Sequence, residues 1–177
     1  MKTLTLLRHA KSSWAIPGQR DFDRPLNGRG RKAARALGAE MKRLGLRFDL
    51  ILASPAQRTT ETLEEAATSY GPLPACFDER IYLAAPRTLL ALARETDDDA
   101  QSLLLVGHNP GTEELALLLS AKGEKRDLMA VKYPTGALAE LSFAVESWAE
   151  IDEGTATLTR FLRPRDLDPA LGPDGAD

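Results

Sequence analysis

Three short apolar runs set the fold this chain can adopt. They are residues 4–7, the stretch FDLILAS from Phe48, and residues 103–106, and they stop abruptly at Arg8, Ser54 and Gly107. Runs this short, bounded by turn residues, read as buried strands rather than helices. Helix-type patterns lie between them. Asn27 and Gly28 open a helix in which Ala34, Leu37, Met41 and Leu44 recur at helical spacing, and Gly45 stops it. Ser54, Pro55 and Gln57 fit the N-cap, first helical position and capping-box partner of a second helix that runs to about Tyr70. A short strand is expected at residues 75–77, and a helix opened by Pro86 runs through Leu89, Leu92 and Ala93. Asn109 and Pro110 look like the N-cap and first position of the next helix. Residues 137–145 and 155–162 read as late strands, with a hairpin as one way to pair them. Strands alternating with helices imply a three-layer α/β/α sandwich with a mainly parallel central sheet.

The 177 residues suit one domain, expected over residues 1–163, with the Pro/Gly/Asp-rich residues 164–177 as a disordered tail. The net charge of −3 argues against a nucleic-acid binder. Its distribution is uneven: residues 1–60 hold 13 Lys and Arg against 4 Asp and Glu, and residues 61–177 hold 10 against 22. An electropositive first third around a cleft favours an anionic ligand. The plainer reading of Arg29 to Arg35 is a solvated helix face. Cys76 is the only cysteine, which excludes an internal disulfide and makes a small buried hydrophobe its expected role. No leader is expected, because Arg8 ends a short apolar stretch, and no run approaches the roughly 20 apolar residues of a membrane span. The expectation is a cytoplasmic protein that binds neither nucleic acid nor membrane.

In parallel sheets, ligands bind beyond the carboxyl ends of the strands. Three strands here end in chemistry: Arg8-His9, Ser54-Pro55 with Arg58 in the following helical turn, and Gly107-His108-Asn109-Pro110. His9 and His108 are the only two histidines. Two arginines and two histidines aimed at one crevice form a cage of donors suited to a phosphoryl group. A neutral imidazole with one nitrogen held by a carbonyl keeps the lone pair of the other for nucleophilic attack. A zinc site is the weaker alternative, since two histidines without paired ligand spacing make a poor zinc motif.

At these residues the chain resembles a known family. The stretches LLRHAKS, SPAQRTTET and VGHNPG are together similar to the histidine phosphatase superfamily, with its phosphoglycerate mutase-like fold, and to its SixA-like phosphohistidine phosphatase branch. The resemblance covers roughly residues 1–145. It implies that His9 is transiently phosphorylated, that Arg8, Arg58 and His108 bind the phosphate, and that no metal or other cofactor is needed. The family's motif usually reads Arg-His-Gly, and here Ala10 stands in third place. Glu79 resembles the proton-donating glutamate of the phosphoglycerate mutase branch. Asp23 competes with it, and an enzyme without a dedicated acid is the third option. YPTGAL resembles a stretch that passes near the second histidine, which makes Thr135 and Gly136 candidate substrate-binding residues, alongside Lys11 and Ser12. Trp14 is read as packed, with a partner-facing role as the alternative. Only 22 residues separate Glu79 from Ser102, too few for the capping subdomain of larger members. An uncapped, open site fits phosphohistidine on a phosphotransfer or phosphocarrier domain better than a small metabolite. The alternatives are a small-molecule phosphomonoesterase and a phosphate-recognition module without turnover.

Overall fold

The computed structural model describes residues 1–172. Six strands form one mixed sheet: β1 (Lys2–Arg8), β2 (Leu50–Ala53), β3 (Cys76–Phe77), β4 (Ser102–Gly107), β5 (Leu138–Phe143) and β6 (Thr157–Leu162). Their order across the sheet is β3-β2-β4-β1-β5-β6. The first four are mutually parallel, whereas β5 runs antiparallel to β1 and pairs with β6 as an antiparallel pair.

The apolar runs are continuous because both sheet faces are covered. On β4, Leu104 and Val106 face one core with Leu37 and Met41 of α1 (Gly28–Arg43) and Leu63 and Ala66 of α2 (Gln57–Tyr70). Leu103 and Leu105 face the other core with Leu89 and Leu92 of α3 (Pro86–Arg94) and Leu115 and Leu119 of α4 (Gly111–Leu119). Each of the four β4 side chains has 0% exposure, so truncating any one of the three leucines to alanine costs about 2–5 kcal/mol. The α/β/α sandwich with a mainly parallel sheet is the architecture observed.

Asn27 caps α1 as expected, its side chain accepting from the Gly30 N–H at 2.8 Å. Elsewhere the starts shift. Helix α2 begins at Gln57, and Ser54, placed as its N-cap by the sequence pattern, instead turns its hydroxyl toward His108. Helix α4 begins at Gly111 with Pro110 in the N-cap position, and Asn109 still accepts from the Glu113 N–H at 3.2 Å. A fifth helix, α5 (Glu124–Val131), gives no periodic signal because only Met129 is buried on it. Cys76 is exposed on the edge strand β3, not buried, since β3 is two residues long and both are exposed.

The expected tail departs from expectation over residues 164–172. Helix α6 (Pro164–Leu167) and a 3₁₀ turn at Pro169–Leu171 pack beside α1, burying Pro164 and Leu171. Pro164 and Pro169 sit at first helical positions, and Asp166 and Asp168 accept backbone N–H groups there. Residues 173–177 lie outside the described residues.

Between β3 and β4 lie only a 3₁₀ turn (Glu79–Ile81), α3 and a short acidic turn, so nothing in this segment forms a subdomain over the sheet. Among the described residues no helix is long and apolar enough to cross a membrane.

Candidate active site

Strand register builds the site. Arg8 lies opposite Gly107, and Ala53 opposite Val106, so the residues that follow β1, β2 and β4 emerge together at one edge of the sheet. His9, Ser54 and His108 are those residues. The cleft above them has a volume of about 240 Å³. Its floor is Arg8, His9, Arg58 and His108. Its walls are Lys11, Ser12, Asp21, Arg24, Asn109 and Thr135, and Trp14 and Leu83 stand at its mouth.

His9 is buried, and its Nδ1 lies 2.7 Å from the carbonyl oxygen of its neighbour Ala10. A carbonyl can only accept, so Nδ1 carries the proton and Nε2 keeps its lone pair. Burial holds the imidazole well below its ordinary pKa. The bond to Ala10 works against that, while the charges of His108, Arg58 and Arg8 add to it. The neutral ring is therefore the resting form. The loop that holds it is tied down twice. The Ala10 N–H donates to Thr62 Oγ1 at 2.9 Å, and the Gly136 N–H donates to the carbonyls of Arg8 (3.1 Å) and His9 (2.9 Å). Ala10 has no positive φ, so the small departure from Arg-His-Gly introduces no backbone strain. Helix α1 closes on this loop so tightly that the Lys11 carbonyl occupies the place a Cβ on Gly30 would need.

His108 is the complement of His9. Its Nδ1 accepts from Arg58 Nη2 at 3.1 Å, which leaves the proton on Nε2, 2.7 Å from Ser54 Oγ. Burial, followed by the charge of Arg58, lowers its pKa to about 3. Its ring centroid stands 5.3 Å from that of His9.

Arg58 sits in the first turn of α2, where the helix dipole already favours anions. Its Nη1 donates to the Asp21 carbonyl at 2.7 Å and its Nη2 to Asp21 Oδ2 at 3.0 Å, while its buried Nε has no partner among the described residues. Arg8 donates from Nη1 to the Tyr133 carbonyl at 3.0 Å.

Two charged groups escaped the sequence reading. Arg24 is buried, lines the cleft, and donates to Ser12 Oγ at 2.6 Å. Asp21 accepts from Tyr82 Oη at 2.6 Å, from Arg58, and from Arg24 Nε at 3.2 Å. Burial pushes the Asp21 carboxyl up, but the bonds from Tyr82 and Arg58 outweigh it and hold the pKa at about 2. The usable signal was the Asp21/Arg24 spacing of three just before Pro25. Arg20 and Asp23 have the same spacing, however, and pair with each other away from the cleft at 2.7 Å.

Neither proton-donor candidate lines the cleft. Glu79 is exposed in the 3₁₀ turn after β3 and does not line the cleft, because that turn directs Ile81 and Tyr82 inward instead. Asp23 does not line it either. Gly136 acts through its backbone bonds to residues 8 and 9, not at the cleft wall, whereas Thr135 lines the cleft beside it. Trp14 is 71% exposed rather than packed.

A model of the histidine phosphatase superfamily (branch 1) matches residues 4–82. An uncharacterized Mycobacterium tuberculosis protein is 34% identical over 163 residues, covering 90% of this chain and all of that one. The crystal structure of a protein named "putative phosphohistidine phosphatase SixA", from Agrobacterium tumefaciens, is 34% identical. It covers 92% of this chain and 98% of its own, with a TM-score of 0.74. A protein of the same name from Nakamurella multipartitia is 28% identical, with coverage of 92% and 96% and a TM-score of 0.79.

Proposed function

Because this chain belongs to the histidine phosphatase superfamily, on its SixA-like branch, we propose that it works without a metal through a phosphorylated His9, and that its substrate is phosphohistidine carried on another protein. The observation that carries the substrate class is the state of the cleft's acid. Asp21 is the only carboxylate that lines the cleft among the described residues, and with a pKa of about 2 it holds no proton near neutrality.

An alkyl phosphate expels an alkoxide, which needs a proton at the leaving oxygen. A phosphohistidine ring can carry its proton on the nitrogen remote from phosphorus and depart as neutral imidazole. His9 is its mirror image, with the proton on Nδ1 and the lone pair on Nε2. As the His9 Nε2–P bond forms, the substrate N–P bond breaks, and no proton has to move. The positive charge that then develops on the His9 ring is stabilised by the Ala10 carbonyl. Arg8, Arg24 and Arg58 bind the phosphoryl oxygens, and the Arg58 guanidinium exchanges its bond to His108 Nδ1 for one to an oxygen. Water then attacks phosphorus, the Nε2–P bond breaks with its electron pair returning to Nε2, and dihydrogen phosphate leaves. A cage of three guanidinium groups repels a cation, which supports the metal-independent reading.

The test compares kcat/KM for a phosphohistidine-bearing phosphocarrier domain with that for alkyl phosphomonoesters, in excess chelator. The phosphoprotein should exceed the esters by roughly 100-fold or more, the usual contribution of a general acid that only the esters need. A faster ester overturns this reading in favour of a small-molecule phosphomonoesterase. Binding without turnover of either leaves a recognition module.

A further inference from the structure

Phosphoryl chemistry accounts for the cleft's floor and walls but not for its mouth. Trp14 and Leu83 line the cleft and are 71% and 56% exposed. Their apolar faces cannot bond a phosphate oxygen, and exposed apolar groups gathered at a cleft mark a surface that binds something apolar.

Both are held in place. The backbone of Ser13 donates to the Pro25 carbonyl at 2.8 Å, and the Arg24 guanidinium carbon lies 3.5 Å from the Trp14 ring centroid, stacked on one face of the indole. Arg24 is itself fixed by Asp21 and Ser12. With a cation already on one face, the exposed surface of the indole is suited to a ring or an apolar side chain rather than a second cation. Leu83 has φ +50°, and among the described residues it is the only non-glycine residue with positive φ. Branched side chains rarely adopt that region, and such strain persists where the surroundings impose it. Here they do. Tyr82 is tied to Asp21 through its hydroxyl and stands edge-on to His108, and the Ala84 N–H donates to the Ile81 carbonyl at 3.2 Å. The network that orients Arg58 and His108 therefore also fixes the backbone from which Leu83 projects.

We propose that Trp14 and Leu83 select the substrate: they grip the part of it that is not phosphate, namely the phosphohistidine ring and the apolar side chains that flank it on the partner protein. This rests on the phosphohistidine reading above. Two preorganised apolar jaws around an anion cage bind a phosphorylated ring on a protein surface, and give a small hydrophilic phosphoryl donor nothing to bind.

The experiment measures kcat and KM for two P–N donors, a phosphohistidine-bearing phosphocarrier domain and free phosphoramidate, with wild type, Trp14→Ala, Leu83→Ala and Leu83→Gly. Each variant should lower kcat/KM for the phosphoprotein by roughly tenfold, mainly through KM, and change phosphoramidate turnover by no more than about twofold. Leu83→Gly relieves the positive-φ strain, so a defect equal to that of Leu83→Ala assigns the loss to the missing side chain. Trp14→Phe should recover most of the phosphoprotein activity. Parallel losses on both donors, or unchanged phosphoprotein kinetics, overturn the inference alone. Wild type that hydrolyses phosphoramidate but not the phosphoprotein overturns it together with the phosphohistidine reading.

Discussion

Arg58 donates from Nη2 to Nδ1 of His108 at 3.1 Å, so two residues from different strand ends fix each other's state. The bond sets the His108 tautomer, and the guanidinium charge helps keep that ring neutral. A neutral ring in turn lets the Arg58 cation sit beside it without like-charge repulsion. The same guanidinium is held from the other side by Asp21.

Asp21 should therefore matter although it carries no proton for the reaction. Asp21→Asn keeps the shape but loses the charge that clamps Arg58 and Arg24. We expect kcat to fall roughly tenfold or more, with no rise in KM because no cation is lost. Steady-state kinetics on any phosphoryl donor read the split. A raised KM with intact kcat contradicts the clamp. Asp21 is partly exposed, which limits the stability loss to about 1 kcal/mol.

His9→Ala removes the proposed attacking atom. Phosphate release should drop by at least about 10³-fold, as expected when a covalent nucleophile is lost. Acid-quenched protein should also lose all phosphate label, provided wild type shows a labelled intermediate. Persistent labelling in the variant would place the phosphoenzyme elsewhere.

The two histidines predict how stability depends on pH. Both have folded pKa values below the unfolded value near 6.5, that of His108 at about 3. Below pH 6.5 the unfolded chain binds protons that the folded chain refuses, so stability falls as the pH drops. The slope is up to about 1.4 kcal/mol per pH unit for each histidine. Urea midpoints at pH 7 and pH 5 measure it, and His108→Asn should flatten the dependence. A midpoint that does not change over this range would mean the rings protonate in place.

Gly136 holds φ +75° while its N–H bonds the carbonyls of Arg8 and His9. A Cβ there meets Pro164 Cγ at 3.0 Å. Gly136→Ala should cost about 1–2 kcal/mol from the left-handed backbone. For a chain of this size that lowers Tm by roughly 2–8 °C. Thermal unfolding gives the value, and a Tm equal to that of wild type would show that the loop adapts.

The legible parts of the site were those coded by a strand end. His9, Arg58 and His108 each follow an apolar run within a few residues, and apolar runs announce strands. Arg24 and Asp21 lie in a loop whose shape depends on the Ser12–Leu26 bridge and on a 3₁₀ turn (Asp21–Asp23), neither of which has a periodic signature. Glu79 misled because similarity in three letters says nothing about which side of a two-residue strand the next turn exposes.

The sequence by itself determined the layers, the strand ends and the neutral-imidazole chemistry they permit, because hydrophobic period and turn residues act over a few positions. Only the tertiary structure decided which of two identically spaced charge pairs entered the cleft. Asp21 with Arg24 faces the cleft, and Arg20 with Asp23 faces solvent. One residue of rotation in a 3₁₀ turn makes that choice. The turn is fixed by contacts with Arg58 and Tyr82, residues 37 and 61 positions away from Asp21 along the chain.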